Sequence, residues 1–204
     1  NPFQENEITI YSGENLIDLP QGNYSLEFLM DGEFVPWGKD FTLSTNLELT
    51  IYYHPGLVED LGSPFLQWEN MVGQWAITDT TIRTQSGLFY DNIDSTSQTL
   101  SMTTSLFDVS GSNRVVVKID HRYETEWDHD YIIVRILNEQ NDILASRQWS
   151  GDSWDMANGD LISATTETSF DSVKVQLSFI SDGTVNYRGW EIESIMLFSI
   201  SDEY

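Results

Sequence analysis

Arg114-Val115-Val116-Val117-Lys118-Ile119-Asp120-His121-Arg122-Tyr123 and, beyond an acidic turn, Tyr131-Ile132-Ile133-Val134-Arg135-Ile136-Leu137 are the stretches that decide the fold. Both are dense in β-branched and aromatic residues, and neither carries a helical stripe, so each reads as a strand. Working outward, the same chemistry predicts strands at 74–77, 98–104, 142–149, 160–164, 172–181 and 189–199. Turns rich in Asp, Asn and Gly separate them at 108–113, 138–141, 151–159 and 181–183. Eight strands in roughly 135 residues is the count of a jelly roll or a related sandwich. The one helical candidate is a single turn at 167–170.

The first part of the chain is also β-patterned. Glu7-Ile8-Thr9-Ile10-Tyr11 alternates, and Tyr24-Ser25-Leu26-Glu27-Phe28-Leu29-Met30 repeats with period 2 into Asp31-Gly32, a strong hairpin signal. Phe41-Thr42-Leu43 and Leu47 to Tyr53 follow, and Pro55-Gly56 is expected to end the pattern. The expected organisation is a small β-sandwich accessory domain over 1–57, a linker over 58–64 and a jelly-roll β-sandwich over 65–204. A segment of about 55 residues is near the lower limit for an independent core, so it is expected to dock on a neighbour.

Charge narrows the partners. There are 33 acidic side chains against 9 Lys plus Arg, a formal net charge of -24. Such a field repels phosphate backbones and anionic lipid, which disfavours nucleic acid and membrane surfaces. It favours bound calcium or a saline medium. The melting temperature should therefore rise between about 10 mM and about 500 mM sodium chloride, as the screening length falls from about 30 Å. A flat profile in calorimetry would mean that bound ions or internal pairs already neutralise the charge.

With no cysteine, disulfide scaffolds, thiol catalysis and cysteine-based metal sites are excluded. No apolar run reaches the roughly 20 residues of a membrane span. The opening Asn1-Pro2-Phe3-Gln4 reads as the start of a piece of a longer polypeptide.

Three ordered segments carry a resemblance. They are Asp120 to Val134, with its acidic turn and Trp127-Asp128; Trp149-Ser150-Gly151-Asp152-Ser153-Trp154; and Val173 to Phe179, Ser181-Asp182-Gly183, then Gly189-Trp190-Glu191-Ile192-Glu193-Ser194-Ile195. Together, over residues 65 to 200, they resemble the MAM-like jelly rolls of immune inhibitor A-type metallopeptidases and the cleaved adhesin domains of gingipains. In that group the first segment is a hairpin. The Asp-Asp pair of the group's last motif is Glu193-Ser194 here, so position 194 brings no ligand. Leu19-Pro20-x-Gly22-x-Tyr24-Ser25-Leu26 with Asp31-Gly32 resembles transthyretin-like or carboxypeptidase regulatory-type β-domains, whose usual role is spacing and support.

Calcium takes six to eight oxygens from carboxylates and carbonyls of irregular turns. The turn 124–130 supplies Glu124, Glu126, Asp128 and Asp130, with Asp128 the preferred ligand because the resembled family is acidic there. Glu191 and Glu193, and Asp91 and Asp94, could converge on it. The competing reading is that so acidic a chain places solvated carboxylates in every loop. Among seven tryptophans, Trp149 and Trp154 flank a Gly-Asp-Ser loop and are the candidate sugar-stacking platforms. Trp75 and Trp190 sit in strand patterns and read as core. His54, His121 and His129 lack metal-binding spacing, and no nucleophile elbow or phosphate loop is present.

The sequence is thus expected to be a non-catalytic, secreted or cell-surface accessory or adhesion module, stabilised by Ca2+. It would engage a protein or glycan ligand beside other domains of the same polypeptide. A carbohydrate-binding module and a structural subunit of a surface layer or filament are the alternatives.

Overall fold

Every ordered element is a strand, and no helix occurs among the described residues, which are 19–30, 33–43, 50–60, 68–78, 81–84, 98–156, 158–165 and 170–203 of a computed structural model. The strands are β1 (Gly22–Met30), β2 (Glu33–Leu43), β3 (Thr50–Asp60), β4 (Trp68–Val72), β5 (Ala76–Ile77), β6 (Ile82–Arg83), β7 (Gln98–Thr104), β8 (Phe107–Asp108), β9 (Arg114–Glu124), β10 (Tyr131–Asn138), β11 (Ile143–Trp149), β12 (Asn158–Thr165), β13 (Ser172–Ser181) and β14 (Gly189–Glu203). Residues 7–11, and residues 167–169 of the helical turn expected at 167–170, lie outside the described residues.

β1 and β2 form the predicted hairpin, with Met30 opposite Glu33 around Asp31-Gly32. The rest is a sandwich of two six-stranded sheets. One runs β11-β10-β13-β7-β4 with β8 against β13; the other runs β12-β9-β14-β6-β5 with β3 against β14. β3 does not stop at Pro55-Gly56. It continues to Asp60 along β14, so residues 58–60, expected as linker, are strand. A register shift opposite Pro55 lets the ladder pass the residue that cannot donate.

The core lies between the sheets. Ile132, Val134 and Ile136 of β10 and Val173, Val175, Leu177 and Phe179 of β13 face Val115, Val117 and Ile119 of β9 and Trp190, Ile192, Ile195 and Leu197 of β14. The apolar spacing in β14 skips a step between Ile192 and Ile195. A bulge at Ile192/Ser194 absorbs the extra residue and keeps both halves turned inward.

One expectation is corrected. The segment 124–130 is not a hairpin turn, because β9 and β10 belong to different sheets. The inward faces of both strands are apolar, and they meet only if the chain crosses the roughly 10 Å between sheets. Crossings of the same kind join β11 to β12 and β13 to β14, whereas β10 and β11 form a true hairpin. The result is a two-layer β-sandwich whose sheet-to-sheet connections are those of a jelly roll.

Candidate functional site

Three crossing loops meet at one end of the sandwich, and their described parts are 125–130, 150–156 and 182–188. Their contacts are specific. The Thr125 amide donates to the Gly151 carbonyl at 2.7 Å, and the Gly151 amide donates back to Thr125 Oγ1 at 2.9 Å. The Ser150 hydroxyl donates to the Glu126 carbonyl at 3.0 Å while accepting from the Asp128 amide at 2.8 Å. The Asp182 amide donates to Asp130 Oδ1 at 2.9 Å. Segments that begin at strand ends far apart in sequence thus become one surface.

That surface brings together Glu126, Asp130 and Asp182, each offering one oxygen within 4.8 Å of the others. Asp130 is buried, Glu126 half-buried and Asp182 exposed. The Thr184 hydroxyl lies 2.6 Å from Glu126 Oε2 and 2.7 Å from Asp182 Oδ1, so its single proton serves one carboxylate at a time. The Thr184 hydroxyl and amide, helped by His129 at 3.3 Å, hold the Asp182 carboxyl below its usual range.

The other residues expected as metal ligands are placed elsewhere. Asp128 adopts a left-handed backbone, φ 60°, and its carboxylate turns to Tyr131, whose hydroxyl lies 2.9 Å from Oδ1. That contact raises the Tyr131 hydroxyl pKa. Glu191 is fully buried and paired with Arg83 and Arg122, the latter through Nε at 2.8 Å. Glu193 lies 3.2 Å from the same Arg122 guanidinium. With guanidiniums on it, neither carboxylate is directed at the acidic loop. Asp91 and Asp94 lie outside the described residues. Asp182 was missed because only the pairing of β10 with β13, which sets Tyr131 opposite Ile180, brings it across 52 residues to Asp130.

The tryptophans sort differently from the expectation. Trp149 packs on the core, its ring 4.9 Å from His121 and covered by Arg147 at 5.1 Å. Trp154 is half-buried, with the guanidiniums of Arg122 and Arg188 at 5.3 Å and 5.2 Å. Among the described side chains, the exposed indole is that of Trp127, at 76%. It rests on Gly151, a buried residue with φ 101°, where a Cβ would sit 2.5 Å from Trp127 Cε3 and 2.9 Å from Cζ3. Only glycine allows both that backbone and that approach. The available signal was local: Trp127 stands alone between acids in a turn, outside any apolar periodicity.

His121 is structural. Its Nδ1 accepts from Trp190 Nε1 at 2.9 Å. Since an indole N–H can only donate, the His121 proton sits on Nε2 and points to Asp160 at 3.0 Å. Burial pushes the Asp160 carboxyl up, but the His121 hydrogen bond and Arg147 at 2.8 Å outweigh it, leaving the pKa lowered. A depressed carboxylate contributes stability that is complete above its unfolded value, about 4, and lost as pH falls through the folded one. Urea denaturation from about pH 6 to about pH 2 should show this loss, and Asp160→Ala should flatten that limb. An unchanged limb would remove Asp160 from the acid response.

No family model matches the chain, and no curated protein matches it. Solved structures resemble it distantly. BiXyn10A CBM1 in its apo form has a TM-score of 0.41 at 12% identity, over 72% of this chain and 98% of that one. TmCBM61 in complex with beta-1,4-galactotriose has a TM-score of 0.35 at 12% identity, over 75% and 88%. The arabinose-bound MgGH51 α-L-arabinofuranosidase has a TM-score of 0.34 at 14% identity, over 74% of this chain and 23% of that one.

Proposed function

We propose that this chain is a non-catalytic glycan-binding module of a larger secreted or surface protein, and that it takes its ligand on the indole of Trp127. The observation that carries the reading is an aromatic ring 76% exposed, seated on a glycine that permits nothing larger. An indole this open to water offers a flat apolar face, and sugar rings present an apolar C–H face that fits it. Hydroxyls around that face match carboxylate and hydroxyl acceptors such as Glu126, Asp182 and Thr184. Affinity electrophoresis through gels containing β-glucan, galactan, xylan or soluble chitin derivatives tests the reading. Retention in at least one gel, abolished in Trp127→Ala, supports it; free migration through all of them sinks it.

The calcium expected from composition would be held by Glu126, Asp130 and Asp182, with backbone carbonyls and water completing the shell. The gathering of three carboxylates supports this position, because they repel one another unless a cation sits among them. A chelator should lower the melting temperature by several degrees, since an ion at a thousand times its dissociation constant contributes about 4 kcal/mol. Asp130→Asn should remove the chelator response, whereas Asp128→Ala should keep it. Superimposable melting curves in calcium and in chelator would dismiss the ion. The kinship with MAM-like adhesion domains, proposed on the ordered segments, is compatible with either ligand class at a cell surface.

A further inference from the structure

We infer that the glycan taken on Trp127 carries protonated amines, as a glucosamine-containing chain does, and that the site rejects uronate-bearing or sulfated glycans. This rests on the glycan-binding reading above and adds the charge class of the sugar. The described parts of the three loops hold six carboxylates, at Glu126, Asp128, Asp130, Asp152, Asp155 and Asp182. Their basic side chains are Arg188 and His129, and both face acids: Arg188 Nε lies 3.4 Å from Glu124, and His129 Nδ1 lies 3.3 Å from Asp182. No surplus cation is left to receive an anionic sugar.

The indole adds to the same preference. The face of an aromatic ring carries negative quadrupolar potential and attracts an ammonium placed over it. Trp127 presents that face in water, with Glu126 and Asp128 as its chain neighbours. Gly151 beneath the ring stops it from swinging inward. An amine on a stacked sugar would meet the indole and an acidic rim at once, whereas an N-acetyl group in the same place has the shape and no charge. The chain-wide net charge of -24 points the same way for approach of the ligand.

The test uses two hexasaccharides of one backbone, glucosamine and N-acetylglucosamine, with oligogalacturonate as the anionic arm. Binding is measured by calorimetry at about pH 6, where carboxylates are ionised and primary amines charged, with a chelator present. The glucosamine chain should bind at least about tenfold more tightly than its acetylated counterpart, a ratio that shrinks as salt rises. Oligogalacturonate should not bind. Calcium should narrow the ratio, because it competes for Glu126 and Asp182.

The double variant Glu126→Gln, Asp182→Asn should bring the affinities for the two hexasaccharides together, with a wild-type circular dichroism spectrum reporting an intact fold; a ratio unchanged in that variant would overturn the inference. Equal binding of the two hexasaccharides by the wild-type protein would overturn the charge inference and leave the glycan reading standing. No binding of either would overturn both. Trp127→Ala leaves the net charge unchanged, so retention of the glucosamine chain by that variant would reveal general attraction to an acidic protein and overturn the inference.

Discussion

Trp127→Ala should weaken glycan binding by about 30- to 100-fold while leaving the fold intact. One face of an indole offers about 100 Å² of apolar surface, roughly half of what the whole side chain buries. At about 25 cal/mol per Å² its removal from water contributes about 2.5 kcal/mol, which falls within the stated range in dissociation constant. The ring is 76% exposed, so truncation costs the fold about 0.5 kcal/mol at most, a shift of ~2 °C. Trp154→Ala should behave in the opposite way. Its half-buried ring faces two guanidiniums, so its loss should lower stability and leave binding within about threefold. Titrations and melts of both variants separate these outcomes, and equal binding by wild type and Trp127→Ala would remove the platform.

Glu191→Ala should lower stability by about 3–5 kcal/mol, or on the order of 10 °C in a thermal melt. The carboxylate has no exposed surface and sits between Arg83 and Arg122, whose side chains keep 43% and 33% exposure. Removing it leaves two like charges facing each other across β6, β9 and β14, and it unpins the short strand β6 that links β5 to the sheet. Partial solvent access to the guanidiniums holds the cost near the lower end of that range. Glu193→Ala is the matched control: its carboxylate is 41% exposed and contacts the same Arg122, so about 0.5 kcal/mol is expected. A melting temperature for Glu191→Ala within ~2 °C of wild type would show that the buried ion group contributes nothing net.

The strands were legible because each carries its own pattern. Ser172–Ser181 matches its expected limits, and β9, β10 and β11 differ from theirs by one residue at one end. The strands flanking Asp31-Gly32 pair as that dipeptide led one to expect, with Met30 opposite Glu33. Limits were misread where local chemistry lost to long-range pairing. Pro55-Gly56 is a sound stop signal, yet β14 supplies a partner ladder that carries β3 past it. The acidic turn after Tyr123 was read as a hairpin because the segment resembles one in the MAM-like group. Burial of two apolar faces sends it across the sandwich instead.

For the site, residue type was visible and partnership was not. The sequence by itself determined that the protein is built of strands, that its surface is acidic, and that Glu126 and Asp130 share a loop with Trp127. Only the tertiary structure decided that Asp182 joins those two acids, that Asp128 turns to Tyr131, and that Glu191 is buried between arginines. It also decided which tryptophan meets water, since Trp149 and Trp127 both border turns and differ in what the opposite sheet sets against them. The physical reason is range. Strand propensity and turn chemistry act over a few neighbouring residues, whereas burial and charge pairing depend on contacts that sheet order alone creates.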